Sequence, residues 1–311
     1  MVKENLKNSI WFALFEGIKI YFSNIDKFVI YMLFPVFGQI IGISLTFLLT
    51  LGFSEKIMQK TDSISSALLL IFLLAVPGLL IFIKAFWDYM VAYVALSSMT
   101  DGALSTGKVY DFQSHREVAT RRGGKYLLLL LVVGILSLIA VVFSIIPVFG
   151  LIPPLILWIY FILIFQVFTF EQDLSVKGLF TKSLNLVKGD WGRTFFLMII
   201  LGFFSIYIIT EGVTVIFDCL HLTDVLAGLF DFIGNSLPLD LINRGLAHTS
   251  TGAKITVNMV SKAIFTGILS VIIAEFTLPI RSICWTMWYK ILVFVKDKPS
   301  VKLTKSKKDR E

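Results

Sequence analysis

Five charged residues fall inside long apolar stretches of the sequence, where a charge needs either a partner or a function. One of them, Glu211, lies near the outer end of its stretch, which leaves four candidates for a polar site within the membrane. They are Lys84, Asp88, Glu275 and Arg281. A single charge at the centre of a bilayer costs roughly 2.5–3.5 kcal/mol on insertion scales, so such residues mark candidate paths for ions or polar solutes. Lys84 and Asp88 are one helical turn apart, and this spacing allows an ion pair. The alternative is that both lie near the cytoplasmic end of their stretch, where the lysine can extend to the interface.

Glu275 is predicted to lie deepest in the membrane. Three aromatic residues indicate the nearby membrane interface: Trp285, Trp288 and Tyr289. Pro279 lacks the N–H that would bond to the Glu275 carbonyl, which predicts a kink in this span. We hypothesise that Glu275 points into a helix bundle and pairs with Arg281 or Lys84. The alternative is a satisfied interhelical pair without a role in transport.

A second set of residues has the chemistry of a lipid-headgroup site. It consists of Lys182, Lys188, Trp191 and Arg193, which directly precede an apolar stretch. Long cationic side chains can extend toward lipid phosphates, and tryptophan favours the membrane interface. Gly189 allows the chain to turn from lying on the membrane to crossing it. The alternative is a structural anchor that selects no particular lipid.

Catalytic and metal-binding patterns are missing from the sequence. Its three histidines are His115, His221 and His248, and no two of them have the spacing of a metal-ligand pair. No glycine-rich phosphate loop or nucleophile elbow is present. We therefore expect no enzymatic activity, no metal and no cofactor.

The elements that must position these residues are six apolar stretches, each long enough to cross a bilayer. They are Phe28–Leu51, Ala67–Val91, Tyr126–Ile146, Leu151–Phe170, Thr194–Val215 and Ala263–Trp285. The whole chain is 57% hydrophobic and 16% charged, whereas soluble domains are about a quarter charged. These features predict an all-α integral membrane protein with six transmembrane helices.

The positions of the cations predict the orientation. Most of the 28 Lys and Arg residues fall on the side of the membrane that carries both termini. The positive-inside rule then places both termini in the cytoplasm. We expect a single membrane domain over residues 1–296 and a basic cytoplasmic tail over 297–311, attracted to anionic lipid headgroups. Because the cations are spread over loops without a recognition fold, nucleic acid is not an expected partner.

Amphipathic segments precede the odd-numbered spans. Before the first, one face carries apolar residues: Trp11, Leu14, Phe15, Ile18 and Phe22. Before the fifth, the corresponding stripe is Val176, Leu179, Phe180, Leu184 and Val187, and Val109–Arg121 is a weaker version before the third. Such helices lie flat in the cytoplasmic interface. The pattern favours three successive units, each made of an interfacial helix and a membrane hairpin.

The stretch Gly178–Phe195, which reads GLFTKSLNLVKGDWGRTF, resembles a signature of a family of bacterial multi-span proteins. This is the membrane-domain family of glycerophosphoryl diester phosphodiesterases and their stand-alone relatives. Ile20–Phe22, Phe34–Gly38 and the basic loop before Tyr126 are also similar to it. The resemblance implies a bacterial inner-membrane protein. Stand-alone members have no assigned activity, and the phosphodiesterase domain has no counterpart here.

Three classes of function follow from these patterns. The first is a non-enzymatic membrane protein with a lipid-interacting, envelope or scaffold role, favoured by the basic interfacial helices. The second is a permease or its membrane subunit, favoured by the charges around Glu275. The third is a lipid-modifying enzyme, disfavoured because no acid–base cluster is present. We expect membrane lipids with anionic headgroups as partners, and the sequence names no protein partner.

Overall fold

The computed structural model describes residues 9–61, 63–107, 109, 112–145, 150, 152–247 and 254–297. Throughout these ranges every regular element is helical. His248, Ile146, Leu151 and nearly all of the predicted tail lie outside the described residues. The helices in the first half of the chain are α1 (Ile10–Ser23), α2 (Ile25–Lys60), α3 (Ile64–Thr106), α4 (Phe112–Thr120), α5 (Gly123–Ser144), α6 (Ile152–Phe161) and α7 (Ile164–Phe170).

The second half begins with α8 (Val176–Val187) and α9 (Trp191–Gly202). A π-helical segment (Phe203–Ile208) joins α9 to α10 (Ile209–Cys219). Four short elements follow: α11 (Leu222–Ala227), a 3₁₀ turn (Gly228–Phe230), α12 (Asp231–Ser236) and α13 (Leu239–Ala247). The last helices are α14 (Val257–Phe276) and α15 (Leu278–Asp297).

Six helical segments are long and apolar enough to span a membrane. They are Ile25–Lys60, Ile64–Thr106, Gly123–Ser144, Ile152–Phe170, Trp191–Cys219 and Val257–Lys296. Many large apolar side chains on them are exposed, including Phe47, Leu48, Leu138 and Val142. A surface this apolar is stable in lipid rather than in water. The predicted all-α six-span architecture is therefore confirmed.

Several spans are longer or less regular than the apolar stretches predict. Span two continues from Val91 to Thr106, so Ser97 and Thr100 lie on a helix and are buried. Span six is interrupted at Thr277, two residues before Pro279. The interruption confirms the predicted effect of this proline, which cannot donate a backbone hydrogen bond.

Helices are present at all three amphipathic segments, as α1, α4 and α8. In α1 the predicted apolar face divides into two. Leu14 is buried together with Ala13 and Gly17, whereas Trp11 and Phe15 are exposed. Gly17 lies directly against Cys284 of α15, and a methyl group on Gly17 would come within 2.6 Å of its sulfur. One face of α1 thus packs against α15, whereas the aromatic side chains of its other face are exposed at the protein surface.

The chain divides into two compact units, which are described separately. The first contains Met1–Ile25, Tyr93–Leu197 and Ser282–Glu311, and the second contains Asp26–Ala92 and Met198–Arg281. The largest fully buried side chains of the first unit include Trp288, Tyr126 and Phe168. The single membrane domain expected over residues 1–296 stays a prediction.

In the second unit, α2 and α3 approach each other through glycines. A methyl group on Gly42 would lie 2.5 Å from the backbone nitrogen of Phe82, and one on Gly78 would lie 2.6 Å from the carbonyl oxygen of Gly42. Gly38 similarly faces Ala85. The small residues at positions 38 and 42 of α2 follow the spacing that lets membrane helices pack backbone to backbone.

Candidate functional site

The corner between α8 and α9 carries the residues predicted to contact lipid headgroups. Ser175 caps α8, because its hydroxyl accepts a hydrogen bond from the Gly178 N–H at 3.2 Å. The helix ends at Val187, and Gly189 has a φ of +92°, a conformation that residues with a side chain rarely adopt. Trp191 then begins α9. The predicted turn at Gly189 is confirmed.

Two side chains of α15 hold this corner in place. The Lys296 ammonium group donates hydrogen bonds to the carbonyl oxygens of Asn185 at 2.5 Å and Lys188 at 2.7 Å. One of the last α8 carbonyls and the carbonyl of the residue that follows the helix thereby gain a cationic donor. The indole N–H of Trp288 donates to the Thr194 hydroxyl at 3.0 Å, and both residues are fully buried. The backbone of the corner is therefore fixed by the fold.

The charged side chains at the corner differ in their exposure and in the ion pairs that they form. Lys188 is exposed, and no acidic side chain in the described residues forms an ion pair with it. Arg193 is 53% exposed and lies 3.3 Å from the Asp190 carboxylate. Lys182 lies 3.5 Å from the Glu171 carboxylate. The corner thus presents Lys188 and Arg193 outward, while Lys182 belongs to a polar contact within the first unit.

Trp191 is the fourth predicted headgroup residue. Its ring stacks on Phe195 with 5.3 Å between ring centres. Its indole nitrogen is buried and has no hydrogen-bond partner among the described residues. Within the described residues, Trp191 therefore contributes apolar packing at the start of α9 rather than a hydrogen bond.

Arg122 lies in the predicted basic loop before span three. Its side chain is bound by other groups of the protein. It donates to the carbonyl oxygens of Phe168 at 2.8 Å and Val118 at 3.2 Å, and its guanidinium lies 4.2 Å from the centre of the Phe168 ring. Burial lowers the pKa of Arg122, and the nearby charge of Asp173 opposes that effect. Arginine titrates so far above neutrality that Arg122 stays charged. Its neighbour Arg121 is exposed and pairs with Glu117 at 2.5 Å.

Among the intramembrane charges, Lys84 and Asp88 form the ion pair that their spacing allows. The ammonium nitrogen lies 2.6 Å from the carboxylate oxygen, and the Lys84 ammonium also lies 5.7 Å from the centre of the Phe34 ring. The Asp88 side chain is buried, whereas 55% of the Lys84 side chain is exposed. Lys84 therefore neutralises a buried carboxylate while its own charged end remains accessible.

The predicted pairing of Glu275 with Arg281 or Lys84 is not formed within the described part of the chain. Lys84 is engaged by Asp88. Arg281 instead donates to the carbonyl oxygen of Ala274 at 2.7 Å, and the Thr277 hydroxyl donates to the same oxygen at 2.9 Å. The interruption at Thr277 frees this carbonyl from its normal helical bond, so it attracts the guanidinium. Glu275 itself is half-buried.

A buried polar cluster in the first unit was not predicted. The Gln166 amide lies 3.4 Å from the Ser97 hydroxyl, which lies 3.4 Å from the Ser282 hydroxyl. All three side chains are buried, and the amide oxygen of Gln166 has no partner among the described residues. A glutamine inside the apolar stretch Leu151–Phe170 was the available signal. The sequence could not show that α3 and α15 bring hydroxyls to it.

The two histidines among the described residues have different surroundings. His115 is buried on α4, with its Nδ1 3.0 Å from the Ser98 hydroxyl. His221 is exposed and 4.0 Å from the Asp224 carboxylate. In the ranges that the structure covers, no group of three His, Cys, Asp or Glu side chains is arranged to hold a metal ion.

Comparison of the chain with protein-family models, with curated proteins and with solved structures finds no match in any of the three. The class of protein therefore rests on the fold and the exposed apolar spans. The chain is a multi-span α-helical membrane protein. The resemblance to the phosphodiesterase membrane-domain family stays a prediction.

Proposed function

We propose that this chain is a non-enzymatic protein of the bacterial inner membrane that binds anionic lipid headgroups at the corner between α8 and α9. One observation supports this proposal most strongly. Lys188 and Arg193 are exposed on a backbone that Lys296 and Trp288 hold in place. A preformed cationic surface loses little conformational entropy when a lipid binds.

The location of the corner agrees with this role. It directly precedes span five, so its cations lie where a membrane-spanning helix begins. Cations near an anionic membrane surface each contribute about 1 kcal/mol. The same segment carries the resemblance to the phosphodiesterase membrane-domain family. We therefore also propose that the chain is related to the stand-alone members, with both termini in the cytoplasm and a scaffold or accessory role in the envelope.

The test compares two double variants of the full chain, purified in an uncharged detergent. Lys188→Gln/Arg193→Gln removes the two exposed cations of the corner. Lys56→Gln/Lys60→Gln removes the same charge from exposed positions at the end of α2. Short-chain phosphatidylglycerol is titrated into each protein, and its affinity is read from the rise in thermal midpoint.

We expect the corner variant to bind this lipid roughly 30-fold more weakly, which corresponds to about 2 kcal/mol for two cations. The α2 variant should bind within about twofold of the parent chain, because its cations are not part of the corner. Equal losses in both variants would mean that only net charge matters, and the corner would then not be the site.

A second candidate function, a permease, is favoured by one specific observation. Span six is interrupted at Thr277, close to Glu275, and span five contains a π-helical segment. Interrupted spans line substrate sites in many transporters, and π-helical segments are common at functional sites. Glu275 would then serve as the acidic group that takes up a cation or proton.

Proton flux into proteoliposomes tests whether the chain is a permease. Vesicles with an internal pH-sensitive dye are driven by a potassium diffusion potential. A permease would acidify faster than protein-free vesicles, and Glu275→Gln would abolish the difference. Glu211→Gln, at an exposed position on α10, is the matched control. Identical traces from the parent chain and from empty vesicles would exclude proton transport by this route.

A further inference from the structure

The segment between spans five and six contains a groove, and none of the residues that line it belongs to the corner between α8 and α9. Its walls are the end of α12, the first part of α13, and Ile255–Val257 at the start of α14, and its volume is about 530 Å³. Small-molecule sites typically measure about 300–1,000 Å³. The groove belongs entirely to the second unit.

The walls of the groove are fixed by polar contacts. The side-chain amide of Asn243 donates to the Ile255 carbonyl at 3.0 Å and accepts from the Ile255 N–H at 2.7 Å. Gly234 is buried against Val257, where a methyl group would come within 2.8 Å of a side-chain carbon. Ser261 of α14 donates to the Asp231 carboxylate of α12 at 2.7 Å. The groove is therefore preformed.

Two opposite charges line the groove without forming an ion pair with each other. Asp240 and Arg244 are one turn apart on α13, a spacing at which carboxylates and guanidinium groups commonly pair. Here the Arg244 side chain instead donates through Nε to the backbone carbonyl of Asp240 at 3.2 Å. Both residues are exposed. Among the described residues, no partner occupies the remaining guanidinium N–H groups or the Asp240 carboxylate, so both can meet a ligand that carries both charges.

Apolar side chains also line the groove, beside its polar and charged residues. Leu237 and Leu241 line it and are exposed, Leu241 by 64%. The neighbouring short helices expose further large apolar side chains: Val225, Leu229 and Phe232. Val215 and Ile216, near the end of span five, are exposed as well. An amphipathic ligand, with a charged headgroup and apolar chains, is complementary to such a surface.

We propose that the groove binds the headgroup of a zwitterionic phospholipid that carries a primary ammonium group. Arg244 contacts the phosphate, Asp240 contacts the ammonium group, and Leu237 and Leu241 contact the start of the acyl chains. Guanidinium groups bind phosphate through several N–H donors, and carboxylates accept hydrogen bonds from ammonium groups. The opposite charges of the groove distinguish this ligand from the anionic lipids proposed for the corner.

The experiment measures two affinities for each protein, using short-chain phosphatidylethanolamine and short-chain phosphatidylglycerol as probes. All variants are made in the Lys188→Gln/Arg193→Gln background, so that binding at the corner does not contribute. The parent groove should prefer phosphatidylethanolamine. Asp240→Asn should remove that preference but retain phosphate binding, and Arg244→Gln should weaken both affinities about tenfold.

Two matched controls keep the test specific. Lys254→Gln removes a cation from an exposed position on the same segment that does not line the groove. Leu229→Ser is the control for Leu241→Ser, since both leucines are exposed but only Leu241 lines the groove. Lys254→Gln and Leu229→Ser should leave both affinities unchanged, and Leu241→Ser should weaken both.

Three outcomes would overturn the proposal. They are an unchanged lipid preference in Asp240→Asn, an equal loss of affinity in Arg244→Gln and Lys254→Gln, and binding of free O-phosphoethanolamine as tightly as the lipid. The last would assign the groove to a soluble metabolite. Because the corner cations are absent from the background, loss of binding here is distinguishable from failure of the proposed corner site.

Discussion

The corner between α8 and α9 and the contact between α2 and α3 hold charged residues in opposite ways. The corner is fixed by bonds from Lys296 and Trp288 to other residues, and its cations Lys188 and Arg193 remain exposed. The contact between α2 and α3 is made by glycines, and its charges Lys84 and Asp88 neutralise each other. The comparison makes Lys188, which forms no ion pair with a described acidic side chain, the clearest candidate for binding, because Arg193 is exposed but also pairs with Asp190.

The largest effect should come from separating α2 and α3. In Gly78→Leu the new side chain would collide with the Thr46 hydroxyl and lie against the Gly42 carbonyl. We expect a loss of about 1–3 kcal/mol, which lowers the thermal midpoint by about 2–4 °C for each kcal/mol. Gly52→Leu, on α2 where nothing lies within 4 Å, is the control. Equal midpoints for the two variants would contradict the close helix contact.

A smaller effect is expected at the corner itself. Gly189→Ala forces a side chain into a conformation with φ of +92°, which costs about 1–2 kcal/mol. The control is Gly192→Ala, on α9, where a methyl group meets nothing within 4 Å. Thermal unfolding of both purified variants should show destabilisation only at position 189. If the two are equally stable, the turn does not depend on glycine.

The smallest effect is expected at the Lys84–Asp88 pair. Breaking this pair should still cost more stability than breaking an exposed surface pair. Lys84→Met leaves the buried Asp88 carboxylate without this partner, and we expect a loss of about 1 kcal/mol or more. Asp88→Asn should restore part of that stability in the double variant. Lys19→Met, which breaks an exposed pair with Glu16, should cost at most about 0.5 kcal/mol. A double-mutant cycle without measurable coupling would contradict the internal role of Lys84.

Some contacts between residues one helical turn apart could be predicted from the sequence, although Asp240 and Arg244 have this spacing and do not pair. Lys84 and Asp88 are an example, and the spacing of Asp190 and Arg193 is similar. Helix geometry alone brings such side chains together.

The interruption of span six was predicted from Pro279, which cannot donate a backbone hydrogen bond. Proline alone does not decide the outcome, because α2 and α3 continue through Pro35 and Pro77.

Contacts between distant segments could not be predicted. Lys296 bonds to carbonyls more than 100 positions earlier in the chain, and Gln166 meets Ser97 on another span. The expected pairing of Glu275 was wrong for a different, local reason: Arg281 donates to the Ala274 carbonyl seven positions earlier, which the interruption at Thr277 frees. The opposite charges of the groove were also overlooked, since their importance depends on the walls around them.

The sequence by itself determined that the chain is an all-α protein with six spans and with amphipathic helices ahead of three of them. Apolar length and helical period are properties of local segments, and a bilayer imposes the same length on every span. Only the tertiary structure decided which charges remain available. That outcome depends on which backbone carbonyls and carboxylates the folded chain brings to each cation, and on how closely glycines let the helices approach.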